Sequence, residues 1–82
     1  MPIDAAPSDA DVRNALRSYL RERPEAADTP VGIRQWWLPE RMRGISMQQL
    51  RLALADLVAD GEIRRTILPD GTELYSRTGS GH

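Results

Sequence analysis

The chain has 82 residues, of which 40% are hydrophobic and four are aromatic, and its formal net charge is −1. A chain of this length forms one domain with a small core. It contains no cysteine and only one histidine, His82, which excludes disulfides and zinc sites built from thiolates or several imidazoles.

The hydrophobic residues occur in short runs, well below the roughly 20 residues that a membrane-spanning helix needs. The first seven residues lack the basic and apolar regions of a signal peptide. We therefore expect a cytoplasmic protein of bacterial type. The residue types present also predict no cofactor and no metal.

Charge is unevenly distributed along the chain. All eleven basic residues are arginines. Residues 1–12 contain three aspartates and no basic residue, whereas residues 34–51 contain four arginines against one glutamate. We expect an anionic partner to approach the second of these segments.

The first helix is predicted to begin at Ser8, which forms a capping-box pattern with Asp11 three residues later. Pro24 is expected to stop this helix after Arg23. Four apolar residues recur at helical spacing and predict one buried stripe: Val12, Leu16, Tyr19 and Leu20.

A second, shorter helix is indicated by Thr29 as N-cap and by Pro30 in the first turn. It is expected to continue to about Trp37 and to end before Pro39. In a chain with so few aromatic residues, at least one of Trp36 and Trp37 is predicted to lie in the core.

The third helix is predicted from a cap at Ser46 to a left-handed C-terminal residue at Gly61. A helical wheel assigns Met47, Leu50, Leu54, Leu57 and Val58 to the core face, with Ala53 at its margin. The same wheel turns another set outward: Gln48, Leu52, Ala55, Asp56 and Ala59, with Arg51 and Gln49 on the two shoulders.

Two β-strands are predicted over residues 62–68 and 72–77, joined by a two-residue type I′ turn at Asp70-Gly71. Ile45 is expected to pair as a short strand beside this hairpin.

The turn type decides which side chains share a face of the hairpin. A two-residue turn places Ile67 opposite Leu74, with Arg64 and Arg77 together on the other face. A bulged three-residue turn shifts the pairing by one residue and reverses the sidedness of one strand.

The segment from Ile45 to Arg65 resembles the recognition helix and wing entry of bacterial winged helix regulators of the GntR and MarR kind. Their pattern is a short strand, a Ser or Thr cap, a leucine-rich helix, a glycine, and then a hydrophobic residue followed by arginine. The matching residues are Ser46, Leu50, Ala53, Leu54, Leu57, Val58, Gly61, Ile63, Arg64 and Arg65.

This resemblance implies an α+β fold that is mostly α, a winged helix-turn-helix with three helices and a C-terminal β-hairpin wing. The domain would cover residues 8–78, between flexible tails at residues 1–7 and 79–82.

The resemblance further implies binding of double-stranded DNA and a role in transcription regulation, with the third helix in the major groove and the wing along the backbone. Base contacts are expected from Gln48, Gln49, Arg51 and Leu52. Phosphate contacts are expected from Arg43, Ser46, Arg64 and Arg77.

A second hypothesis uses the same face of the third helix. Leu52, Ala55 and Ala59 are predicted to form an exposed apolar patch, which would dock onto a partner protein or a second copy of the chain. In this hypothesis the arginines form a polar rim around the patch. Arg64 and Arg77 also have a separate interpretation that involves no partner, in which they only keep a sheet edge soluble. The sequence shows no pattern typical of a nucleophile–base pair, a phosphate-binding glycine loop or a set of metal ligands. We therefore do not predict an enzyme.

Overall fold

A computed structural model describes residues 6–78, which fold as an α+β, mostly helical structure with three helices and one three-stranded antiparallel sheet. This architecture is compatible with a winged helix. Residues 1–5 of the predicted tail at residues 1–7, and the whole predicted tail at residues 79–82, lie outside the described residues. The elements in chain order are α1 (Asp9–Glu22), β1 (Ala27–Asp28), α2 (Pro30–Gly32) with its π-helical continuation (Ile33–Trp37), a 3-10 turn (Glu40–Met42), α3 (Met47–Ala59), β2 (Ile63–Ile67) and β3 (Glu73–Arg77).

The helix termini follow local capping chemistry, as predicted. The hydroxyls of Ser8, Thr29 and Ser46 accept hydrogen bonds from the backbone N–H three residues later, at 3.0, 3.2 and 3.0 Å. Asp11 completes the capping box by accepting from the Ser8 N–H at 3.1 Å. Gly61, just beyond α3, has φ +78°, the left-handed conformation expected of a helix stop.

The second helix contains a glycine because another side chain occupies the space beside it. A Cβ at Gly32 would collide with the carboxylate of Asp28, whose Oδ1 accepts a hydrogen bond from the Thr29 N–H at 2.8 Å.

The second helix ends where Pro39 predicts. Leu38, the residue before this proline, is extended at φ −92° and ψ 146°.

The core is formed by side chains from all three helices and from the sheet. Trp37 is 4% exposed and stacks on Tyr19 with ring centroids 5.1 Å apart, whereas Trp36 is 62% exposed. The prediction that one tryptophan lies in the core is thus confirmed. The buried residues are Val12, Leu16, Leu20, Ile33, Trp37, Leu38, Met42, Ile45, Leu50, Ala53, Leu54, Leu57, Ile63 and Tyr75.

The two faces of α3 are those predicted, with one exception. Leu50, Leu54 and Leu57 are fully buried and Met47 packs against the core, but Val58 is 37% exposed, so its assignment to the core is wrong. Fully buried Ala53 shifts the centre of the core face away from Val58, which lies about 90° from that centre at 3.6 residues per turn. Val58 instead faces a groove beside the hairpin.

The sheet has the order β1–β3–β2, and its first strand is not the predicted one. The prediction of a strand at Ile45 is wrong, because Ala27–Asp28 takes the outer place beside β3. Both backbone groups of Ile45 are used in the turn before α3. Its N–H donates to the Met42 carbonyl and its carbonyl accepts from the Arg34 guanidinium, each at 3.2 Å. The backbone groups of Ile45 therefore find their partners in this turn and not in the sheet.

The hairpin turn has three residues, so the two-residue turn is wrong and the shifted pairing is the observed one. Pro69 has a fixed φ that suits the second position of a type I turn, and Gly71 follows with φ +90°. The Gly71 N–H donates to the Leu68 carbonyl and the Leu68 N–H donates to the Thr72 carbonyl, both at 2.8 Å.

The new register changes which side chains are neighbours across the hairpin. Ile67 pairs with Glu73, Arg64 pairs with Ser76, and Arg77 pairs with the buried Ile63. Since directly paired residues share a face, Arg64 and Arg77 lie on opposite faces and not together as predicted.

Candidate binding surface on the third helix and hairpin

The outward face of α3 is exposed as the sequence predicts. Leu52 is 52% exposed, and the short side chains of Ala55 and Ala59 on the same face are also exposed to solvent. Gln48 and Asp56 are also exposed. We call this set, Gln48, Leu52, Ala55, Asp56 and Ala59, the outward face.

Helix α1 runs alongside one shoulder of α3. The Gln49 side-chain amide donates to the Pro7 carbonyl at 2.8 Å, and Arg13 contacts Asp56 at 3.0 Å. The first contact brings the acidic first turn of α1 close to the N-terminal half of α3. The side-chain amide of Gln49 is therefore already hydrogen-bonded inside the domain. The negative charge of Asp56 is paired with Arg13.

A bidentate ion pair fastens α1 to the residues that follow α3. Arg17 Nε and Nη2 donate to the two carboxylate oxygens of Glu62 at 2.7 and 2.9 Å, and Asp60 lies 4.0 Å from the same guanidinium. The hydrogen bonds from Arg17 lower the pKa of Glu62, and the same bonds raise the pKa of Arg17. The pair therefore favours the charged form of Glu62.

The hairpin borders the other shoulder of α3 through Glu73. The Arg51 guanidinium lies 2.9 Å from Glu73 Oε1, and Arg65 lies 3.9 Å from Glu73 Oε2. Arg51 and Asp56 are the two charged residues of α3, and both are ion-paired to other parts of the domain.

A groove of about 680 Å³ lies between the C-terminal half of α3 and the hairpin. Its helix side carries Ala55, Val58 and Ala59, and its strand side carries Tyr75 with two arginines, Arg64 and Arg65. We call it the α3–hairpin groove. It has an apolar floor and a basic rim on the strand side.

The expected phosphate contacts do not form one cluster. Ser46 caps α3, and Arg43 is exposed with its Nε donating to the Leu38 carbonyl at 3.2 Å. Arg64 lines the α3–hairpin groove, whereas Arg77 lines a different pocket with Arg17 and Arg21.

Several residues on or next to this surface are absent from the sequence-based site, among them Arg65 and Tyr75 of the groove. Glu73 holds Arg51 from 22 positions away, Val58 lines the groove, and Ile67 is 52% exposed on the hairpin. An exposed hydrophobic residue near a turn is a weak signal in a sequence. The partner of Arg51 has no local signal, because it depends on how the hairpin meets α3.

Comparison with protein-family models, curated proteins and solved structures finds no match to this chain. Within residues 6–78, no helix combines the length and the apolar character needed to cross a membrane. That part of the chain also contains no group of three or more side chains placed to bind a metal.

Proposed function

We propose that the chain is a winged helix domain whose outward face and α3–hairpin groove form a protein-docking surface. The winged helix assignment is supported by three helices followed by a hairpin, by the Ser46 cap and by the left-handed Gly61. These are the features on which the resemblance to GntR and MarR regulators rests.

The observation that carries the docking function is the internal pairing of every charged side chain of α3. Arg51 is paired with Glu73 and Asp56 with Arg13, while Leu52 and Val58 remain 52% and 37% exposed. An interface core that is apolar and poor in free charge is typical of protein–protein contacts. A DNA-reading surface instead needs free cations.

The partner is an amphipathic helix with an apolar stripe flanked by carboxylates. The small side chains of Ala55 and Ala59 let a helix approach α3 closely, and Val58 supplies an apolar floor. Arg64 and Arg65, at the strand-side rim, are complementary to acidic residues beside that stripe.

A display library of random peptides about 16 residues long, long enough for four helical turns, tests this function. Peptides selected on the intact protein are expected to carry apolar residues at helical spacing with Asp or Glu beside them. Leu52→Glu should weaken binding by about 30-fold or more, the cost of a hot-spot residue. Gln35→Glu, the same charge change at an exposed position outside this surface, is the matched control.

The proposal is wrong if no peptides are enriched, or if the enriched peptides bind equally well to the Leu52→Glu protein. Self-association that Leu52→Glu abolishes would mean that a second copy occupies the surface instead. Circular dichroism and amide spectra of each variant report whether the domain is still folded.

Double-stranded DNA is the second candidate partner, favoured by the surroundings of the α3 N-terminus. Gln48 is exposed there beside Ser46, and within residues 6–78 no carboxylate lies within 4.0 Å of Arg43 or Arg64. Exposed ion pairs such as Arg51–Glu73 are worth only about 0–1 kcal/mol, so a phosphate can displace Glu73 at small cost.

An amide-shift titration with duplex DNA at low salt distinguishes this candidate from protein docking. DNA binding predicts shifts centred on Gln48, Arg51 and the hairpin, and an affinity that falls steeply with salt. If Arg51→Ala and Arg64→Ala leave the affinity and its salt dependence unchanged, this surface does not contact DNA.

A further inference from the structure

A second groove, of about 510 Å³, lies between the C-terminal half of α1 and the turn that follows α2. It is wide and open, and Tyr19, Arg23, Trp36, Arg41 and Arg43 are among the residues that line it. We call it the Trp36 groove. None of its lining residues belongs to α3 or to the hairpin.

Aromatic rings form the floor of the Trp36 groove. Trp37 is buried and stacks on Tyr19 with an interplanar angle of 13°, and the Arg23 guanidinium lies 4.9 Å from the Tyr19 ring centroid. Trp36 is 62% exposed beside them. Trp37 packs in the core, whereas the Trp36 side chain is mostly in solvent. Core packing therefore gives no reason for a tryptophan at position 36.

The groove is positively charged in a chain whose net charge is −1. Three arginines, Arg23, Arg41 and Arg43, line it against one glutamate, Glu22. Glu22 lies 3.8 Å from Arg23, and both side chains are mostly exposed, so this pair is weak. Among the described residues no carboxylate lies within 4.0 Å of Arg41 or Arg43. The Arg43 Nε donates to the Leu38 carbonyl at 3.2 Å, which leaves the terminal nitrogens of Arg43 and the Arg41 guanidinium available to an anion.

We propose that the Trp36 groove binds single-stranded nucleic acid, with a base stacked on Trp36 and backbone phosphates bound by Arg41 and Arg43. Exposed aromatic faces beside planar guanidiniums are the chemistry that recognises unpaired bases and their phosphates. A duplex hides its base faces in the helical stack, so Trp36 cannot stack on them.

An acidic peptide fits this groove less well than a nucleic-acid strand. Peptide recognition through an apolar anchor needs a pocket that encloses the anchor, and the Trp36 groove is open along its length. A nucleic-acid strand needs no enclosure, because stacking uses one face of the base and the phosphates remain near solvent. This binding is independent of docking at α3.

The test is a titration of the full chain with fluorescein-labelled oligo(dT) of about 12 nucleotides, a typical site size for single strands. At about 50 mM salt, we expect binding that partly quenches the tryptophan emission of the chain. Trp36→Ala should weaken binding by about 5- to 150-fold, because stacking on one base is worth about 1–3 kcal/mol. Trp36→Phe should retain part of the affinity.

The arginine contribution is measured through the salt dependence. Each phosphate contact contributes a slope of about −0.7 in log K against log[salt], so Arg41→Gln together with Arg43→Gln should flatten the slope by about 1.4. Arg21→Gln, which removes one positive charge from an exposed position outside the groove, should change the slope little.

Two binding results, and two competition results after them, would each overturn the proposal. One is the absence of oligo(dT) binding at about 50 mM salt; the other is binding that Trp36→Ala leaves unchanged. Equal competition by duplex DNA of the same length would show that base stacking is not used. Equal competition by a polyglutamate peptide would show that the groove attracts any polyanion. Circular dichroism confirms that each variant is folded.

Discussion

Replacing Leu54 and Leu52 separately with alanine tests the orientation of α3 on which both candidate functions depend. The two residues lie in the same helix and lose the same atoms, but Leu54 is 0% exposed and Leu52 is 52% exposed. Leu54→Ala leaves a cavity in the core, and buried Leu→Ala changes cost about 3 kcal/mol. Leu52→Ala removes a side chain that is already half in water, so its cost should be about 1 kcal/mol or less.

The difference is large relative to the stability of a chain of this size, whose free energy of unfolding is expected to be about 4–12 kcal/mol. Urea denaturation followed by far-ultraviolet circular dichroism measures it. With an m-value of about 1 kcal/mol/M, Leu54→Ala should lower the midpoint by about 3 M and Leu52→Ala by about 1 M or less. Equal shifts, or a larger shift for Leu52→Ala, would refute the assignment of the two faces and remove the proposed docking surface.

Two further changes test the hairpin and the Arg17–Glu62 pair. A Cβ has open space at both Gly71 and Gly44, but only Gly71 has positive φ, at +90°. In urea, Gly71→Ala should therefore cost about 1–2 kcal/mol and Gly44→Ala should be neutral or slightly stabilising; equal effects would contradict the three-residue turn. Because Arg17 lowers the pKa of Glu62, the stability from their pair is present above the unfolded-state pKa of about 4.3 and is lost as pH falls through the lower folded-state pKa. Glu62→Gln should cost about 0.5–1 kcal/mol at neutral pH, since the pair is partly exposed. It should also remove this part of the loss of stability at acid pH. If the free energy of unfolding of Glu62→Gln falls with decreasing pH as it does in the unchanged protein, this role of the pair is wrong.

The elements that depend on neighbouring residues were predictable from the sequence. Ser8, Thr29 and Ser46 bind backbone groups only three positions away, and the cap at Ser46 would form in any surroundings that leave α3 helical. Helical spacing likewise separated Leu54, inside, from Leu52, outside, because a rigid helix presents opposite faces whatever packs against it.

Only the tertiary structure decided the features that join distant parts of the chain. The two-residue strand Ala27–Asp28 has no pattern of its own and exists because β3 offers a free edge. The pairing of charges on the candidate surface also depends on the tertiary structure, since Arg51 contacts Glu73 only after the hairpin folds against α3. Local sequence can specify a cap or a helical face, because the interacting groups are a few bonds apart. Which charges remain free to bind a partner depends on contacts between residues far apart in the sequence, and these form only when the chain has packed.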